Sequence, residues 1–271
     1  MIPFSVLLSV YHKETPAKLA EALESILLHQ TLLPNEVVIV KDGPLTNALD
    51  ELIDMFERQY PCIKVLVLQQ NVGLGEALKR GIEACTHDWI ARMDSDDIAA
   101  AQRFEKQTLF LQERPYLSAL GSNIEEFTHQ PHDLGRIKKV PATYKEVLKF
   151  ARYRNPLNHP SVMFRKSAVQ AVGSYQEVPL FEDYYLWLRL LKAGYQIENM
   201  NEVLLHFRIG DNAITRRHGL AYLKKELTYF NKIHREKLID GKQYILLVLF
   251  RTPWRLVPLT MLKWVYKVVL R

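Results

Sequence analysis

Four short apolar runs separated by helical patterns constrain this chain most. Phe4–Val10 (FSVLLSV), Glu36–Val40 (EVVIV), Ile63–Leu68 (IKVLVL) and Trp89–Met93 (WIARM) read as buried strands. Between them, Pro16–Gln30, Leu49–Tyr60 and Gly73–Cys85 carry apolar residues at helical spacing. Thr15 stands as N-cap with Pro16 at the first helical position. Strands buried on both faces and alternating with helices predict a parallel sheet with helices on both sides. Such sheets bind ligands beyond the carboxyl ends of their strands. Three polar clusters fall there: Ser9–Glu14, Asp42 in Lys41-Asp42-Gly43-Pro44, and Asp94-Ser95-Asp96-Asp97.

The second half is less regular. Helices are expected over Gln102–Glu113, Glu182–Ala193 and Leu220–Ile239, and strands over Leu117–Phe127, Ser161–Phe164 and Val203–Phe207, with Thr128–Lys139 as a polar loop. Gly194 suits the end of the aromatic-rich helix EDYYLWLRLLKA. The 271 residues, 48% of them hydrophobic, can build a sizeable core, which excludes wholesale disorder. Two cysteines, Cys62 and Cys85, make neither a disulfide framework nor a zinc motif, favouring a reducing compartment. The N-terminus enters a strand directly, with no basic region or cleavage site of a signal peptide.

The net charge of +6 has a definite location. From Gly241 onward there are six basic residues and no acid, which leaves 30 basic against 30 acidic residues before it. A nucleic-acid binder carries its basic patch on the folded body, so that class is excluded. The longest uncharged run of the tail, Gln243–Phe250, is too short for the roughly 20 residues that span a bilayer. Pro253 and Pro258 interrupt the segment, and Trp254, Trp264 and Tyr266 interleave with its basic residues. That pattern suits a helix lying on an anionic membrane surface; a helix docked on the body is the alternative.

Three carboxylates at a strand end repel one another, and a hard divalent cation relieves this while reaching substrate phosphates. These acids could hold Mg²⁺ or Mn²⁺; an Asp-rich turn capping the next helix is the bland reading. Asp42 could accept hydrogen bonds from a base or ribose, or form a turn. Asn71-Val72-Gly73-Leu74-Gly75 is not a dinucleotide fingerprint, since Leu78 stands where the third glycine belongs; Asn71 there suits a helix cap. Glu182 and Asp183 open a helix whose dipole favours acids, and either could act as general base beside aromatic rings. His159 and His206 are isolated histidines of the kind that is usually structural, and Arg216-Arg217 is a basic pair able to meet a diphosphate.

Together and in order, SVLLSVYHKE, VVIVKDG, QQNVGLGEALKRGIEAC, ARMDSDD and FEDYYLWLRL resemble family 2 glycosyltransferases of the GT-A fold, from about Phe4 to Gly219. The resemblance implies a GT-A catalytic region over 1–219, with nucleotide-sugar binding in about 1–100 and acceptor binding and catalysis in about 101–219. Residues 220–271 would be a helical, basic, membrane-associating extension. It implies a UDP-sugar donor held by Ser9, Tyr11, Glu14, Asp42, Asn71, Lys79, Asp94, Ser95 and Asp96, with Mn²⁺ or Mg²⁺ on Asp96 and Asp94. Asp183 would be the base of an inverting transfer, and His159, Glu182, Trp187, Arg216 and Arg217 would serve the acceptor or the diphosphate. Gly210 stands where many members carry a metal-binding histidine, leaving His206 or His218 for that role. NPLNHPSVMFRKSAVQAVGSY and FRIGDNAITRRHG resemble bacterial O-antigen and exopolysaccharide transferases, which implies a hexose, glucose or galactose, moved to a sugar on undecaprenyl diphosphate at the cytoplasmic membrane face. A nucleotidyltransferase and a non-catalytic membrane-bound interaction protein are the competing classes; HKETPAKL lacks the glycine-rich loop of the first, and the intact acids oppose the second.

Overall fold

The computed structural model describes residues 1–210 and 218–257. The expected alternation is present: β1 (Phe4–Val10), α1 (Pro16–Leu27), β2 (Glu36–Lys41), α2 (Asn47–Gln59), β3 (Ile63–Val67), α3 (Leu74–Ala84) and β4 (Trp89–Arg92). The chain continues through β5 (Ile98–Ala99), α4 (Arg103–Glu113), β6 (Leu117–Phe127), β7 (Arg136–Lys138), α5 (Tyr144–Phe150), β8 (Met163–Arg165), α6 (Lys166–Ala171), α7 (Glu182–Lys192), β9 (Gln196–Arg208), α8 (Leu220–Arg235) and α9 (Gly241–Leu256).

One sheet joins all the strands in the order β3-β2-β1-β4-β8-β6-β9-β5, with β7 on β6. The first four strands are parallel, and β6 is parallel to β9; the other pairings are antiparallel. The sheet separates two cores. Phe4, Val6, Leu8 and Val10 of β1 face α1, α2 and α4, while Leu7 belongs to the opposite core with α3, α6 and α7. This is the period-two alternation of a strand covered on both faces. Helix α3 lies so close to the sheet that a Cβ on Gly81 would meet Leu7 Cδ1 at 2.4 Å and Val40 Cγ2 at 2.8 Å. A third core joins Tyr184, Tyr185 and Leu188 of α7 to Tyr229, Phe230 and Ile233 of α8 and Leu247 of α9.

Several elements differ from expectation. The segment read as a polar loop contains β7, whose three residues are all exposed; only pairing with β6 makes it a strand. Strand β9 starts at Gln196 rather than Val203, because its polar first half is held by tertiary bonds: the Asn199 amide donates to the carbonyls of Pro141 (2.6 Å) and Pro156 (3.1 Å). Helix α5 went unread although Thr143 and Glu146 form a reciprocal capping box. Helix α9 is capped in the same way by Asp240 and Gln243 and runs through Pro253, which the sequence reading took as an interruption.

Candidate active site

The loops that follow β1, β2 and β4 meet because these three strands are adjacent and parallel. Asp42, just past β2, is buried. Its Oδ1 accepts from the Val72 backbone N–H (2.7 Å) and its Oδ2 from the Asn71 side-chain amide (3.0 Å). Gly43, at φ +84°, passes so close that a Cβ would lie 2.5 Å from the Asn71 nitrogen. Asn71 thus serves Asp42 more than it caps α3, and an ionised carboxylate can accept more bonds than these two. Ser9 lies near the end of β1 opposite Val40, and Tyr11 is 42% exposed on the loop beyond. Glu14 ties that loop to the next: its Oε2 accepts from the Ser95 hydroxyl (2.7 Å) and its Oε1 from the Thr15 N–H (2.8 Å).

Beyond β4, ligand oxygens of Asp94, Asp96 and Asp97 lie within 4.8 Å of one another. Asp94 pairs with the buried Arg92. Asp97 is fully buried; its Oδ1 accepts from the Arg208 N–H (2.8 Å) and its Oδ2 has no hydrogen-bond partner among the described residues. Burial, then the charges of Asp94 and Glu14, raise the Asp96 carboxyl to about 6. Burial with Asp94 and Asp96 pushes Asp97 up as well. A divalent cation fits this arrangement: crowded oxygens, an unpartnered buried Oδ2 and carboxyls that resist ionising are the charge deficit such an ion fills.

Asp183 lies in the first turn of α7. Its Oδ2 accepts from the Asn155 amide at 2.5 Å and its Oδ1 from the Tyr184 N–H at 2.7 Å. Burial raises its carboxyl above the usual range, opposed by these two bonds and by the charges of Arg92 and Lys138. Glu182, also raised by burial, packs against the start of α3, where a Cβ on Gly75 would meet its Cγ at 3.1 Å. The Arg92 charge therefore acts on both the strand-end cluster and the α7 acids.

Other expected site residues are placed elsewhere. Trp187 is fully enclosed in the core between sheet and α7, so its ring offers no face to a sugar; the aromatic run of α7 is explained by packing. His159 shares a hydrogen bond with the Tyr175 hydroxyl (2.7 Å) and packs edge-on to Trp187, and burial holds its imidazole well below the ordinary value. Lys79 is on the outer side of α3 near Glu76 (3.9 Å). His206 is engaged by Glu125 (2.7 Å) and His218 by the Val257 carbonyl (2.6 Å). Arg216 and Arg217 lie outside the described residues. Asp97 was read only as one of three clustered acids and given no role of its own, while Arg92, Arg208 and Asn155 escaped the sequence reading. Arg92 alone left a signal, as a charge inside an otherwise apolar strand.

The family model "Glycosyl transferase family 2" matches residues 5–223. The chain belongs to glycosyltransferase family 2. It is 38% identical over 267 residues to the amylovoran biosynthesis glycosyltransferase AmsE of Erwinia amylovora, covering 97% of this chain and 98% of that one. It is 39% identical over 268 residues to the Escherichia coli UDP-Gal:alpha-D-GlcNAc-diphosphoundecaprenol beta-1,3-galactosyltransferase, covering 99% and 96%. Its fold matches the mannosyltransferase PcManGT of Pyrobaculum calidifontis, solved with GDP-Man and Mn²⁺, with a TM-score of 0.70 and 16% identity over 99% of this chain and 76% of that one. Staphylococcus aureus TarS 1–349 with UDP-GlcNAc matches with a TM-score of 0.64 and 16% identity, over 86% and 66%. The family 2 glycosyltransferase is thus a GT-A enzyme, as its motifs implied, and the nucleotidyltransferase and non-catalytic readings fall away.

Proposed function

We propose that this enzyme is an inverting, metal-dependent hexosyltransferase that moves galactose from UDP-galactose to a sugar on undecaprenyl diphosphate in surface-polysaccharide assembly. The carboxylate cluster beyond β4 carries the reading, because it presents surplus negative charge where a nucleotide diphosphate would approach. The activity named for the E. coli relative, which matches along nearly its whole length, supports galactose over glucose and a lipid-linked acceptor.

In this reading Asp42 accepts from the uracil, while Ser9, Tyr11 and Glu14 line the nucleotide pocket. Ser95 and Asn71 hold Glu14 and Asp42 in place. Asp94 and Asp96 would hold Mn²⁺ or Mg²⁺, with Asp97 in the same cluster, and the bound ion would supply positive charge against the charge that grows on the leaving diphosphate. Asp183 takes the proton of the acceptor hydroxyl as that oxygen bonds to the anomeric carbon. The bond to UDP breaks on the opposite side and its electron pair leaves with the diphosphate, so the configuration inverts. Glu182 borders the acceptor side; Arg216 and Arg217 are assigned to the diphosphate, and Lys79 to the donor, on sequence grounds alone. Residues 1–219 form the catalytic unit in this assignment.

No helix among the described residues is long and apolar enough to cross a membrane. We assign residues 241–271 to the cytoplasmic surface of an anionic membrane. Helix α9 supports this: it docks through Leu247, yet Ile245, Leu249, Phe250, Trp254 and Leu256 are exposed. The docked-helix alternative describes the Leu247 side, and the membrane reading rests on the exposed side.

The deciding experiment is donor hydrolysis and transfer across a panel of nucleotide sugars, with and without Mn²⁺, using a lipid-linked N-acetylglucosamine acceptor. UDP-galactose turnover that stops with EDTA is expected. Equal turnover in EDTA would overturn the metal assignment, and preference for another donor would overturn the sugar.

A further inference from the structure

The hairpin formed by β6 and β7 carries a side-chain group that glycosyl transfer does not use. Glu125 on β6 and His206 on β9 are register partners in the parallel pairing, and His132 comes from the connection between β6 and β7. The Glu125 carboxylate is only 9% exposed and meets one imidazole with each oxygen: Oε1 lies 2.9 Å from His132 Nδ1, and Oε2 lies 2.7 Å from His206 Nδ1. The two rings stand edge to face with centroids 5.2 Å apart. Three ligand atoms from two strands and a hairpin loop thereby lie within 4.8 Å of one another.

We propose that Glu125, His132 and His206 bind one divalent transition-metal ion, Zn²⁺ by preference. Two imidazole nitrogens and a carboxylate are a donor set suited to zinc, with a fourth position left for water. The all-carboxylate cluster of Asp94, Asp96 and Asp97 suits Mg²⁺ or Mn²⁺ instead, so the two groups select different ions. They share no residue. Ligand atoms around a tetrahedral zinc lie about 3.4 Å apart at ordinary bond lengths, so insertion opens each imidazole–carboxylate pair by roughly half an ångström. To ligate through Nδ1, each imidazole carries its proton on Nε2 and turns its Nδ1 lone pair to the ion. The ion ties the hairpin connection to β9, two residues before the Arg208 whose backbone holds Asp97. It also removes His206 from the set of ligands available to the donor-site cation.

The full-length protein, stripped with chelator, is titrated with Zn²⁺ by calorimetry beside Asp96→Ala and His132→Ala. Asp96→Ala weakens the carboxylate cluster and keeps the histidine site. His132 is 78% exposed at the side chain, so its replacement leaves the core intact, and circular dichroism checks this. Wild type and Asp96→Ala are expected to share one tight Zn²⁺ event that a tenfold excess of Mg²⁺ does not displace. His132→Ala should weaken that event more than about 100-fold, since loss of a mere supporting partner already costs 10–100-fold. Equal Zn²⁺ affinity in wild type and His132→Ala overturns the proposal, as does loss of the event in Asp96→Ala; Glu125 then only accepts hydrogen bonds. Neither result bears on the donor or the acceptor assigned above.

Discussion

Asp96 shows what a single buried carboxyl costs in the absence of a cation. Its carboxyl is raised from 3.8 to about 6, so between those values the folded chain holds a proton that the unfolded chain releases. Stability of the metal-free enzyme therefore falls as pH rises through that window, and above it the cost is at most about 3 kcal/mol. Asp96→Asn should raise the melting temperature in EDTA at pH 7, while abolishing the rise that Mn²⁺ gives the wild type. A lower melting temperature for the variant in EDTA would count against this electrostatic account. Asp183 is the proposed base, and in that role it has to ionise to accept a proton. Asp183→Asn should lower kcat by about 10²–10⁴ and leave UDP affinity nearly unchanged. The Asn155 amide favours the ionised form, so Asn155→Ala should push the Asp183 carboxyl further up. The acid limb of the kcat/KM profile then moves to higher pH by about 1–2 units. An unmoved limb would reassign the base.

At the scale of elements, α8 and α9 are locked by one buried charge. Glu226 of α8 is inaccessible and accepts from Arg255 Nε (2.8 Å) and Nη2 (2.9 Å) and from Arg251 Nη1 (3.1 Å) of α9. Two of the six basic residues after Gly241 are thus committed internally. Removing one partner from a buried pair leaves the other uncompensated, so Glu226→Ala should cost about 3 kcal/mol. The loss should appear first as cleavage between α8 and α9 in limited proteolysis, with UDP binding retained. Cleavage at wild-type rates would show that the apolar contact through Leu247 holds α9 by itself.

For the whole molecule, the exposed side of α9 carries the proposed membrane contact. Leu249 and Phe250 are 64% and 69% exposed, so Leu249→Glu with Phe250→Glu should leave the melting temperature within about 1 °C of wild type, as expected of surface sites. Each apolar side chain buried at an interface contributes about 1.5–3 kcal/mol, and each basic residue near an anionic surface about 1 kcal/mol. The wild type should float with anionic vesicles at low salt, and the double variant should stay behind. Removing residues after Val257 is the companion test: it takes the last basic residues and leaves α9 docked. If wild type and variants all remain in the aqueous fraction, the exposed face of α9 serves some other contact.

The sequence by itself determined the parallel half of the sheet and the edge at which the site forms. Apolar runs such as FSVLLSV, short and rich in β-formers, read as buried strands, and the polar residues that end them then gather where those strands stop. It also located Asp94, Asp96 and Asp183, because acids at strand and helix ends are local signals. Long-range pairing decided the rest. An exposed RIK becomes a strand only beside β6, and the polar start of β9 only through Asn199. Trp187 reads alike in a core or a sugar site until the sheet covers it. Asp97 gains its meaning from Arg208, 111 residues away, and Glu125 meets His206 across 81. No local pattern encodes which strands will lie side by side, so these groups exist only once the sheet has closed.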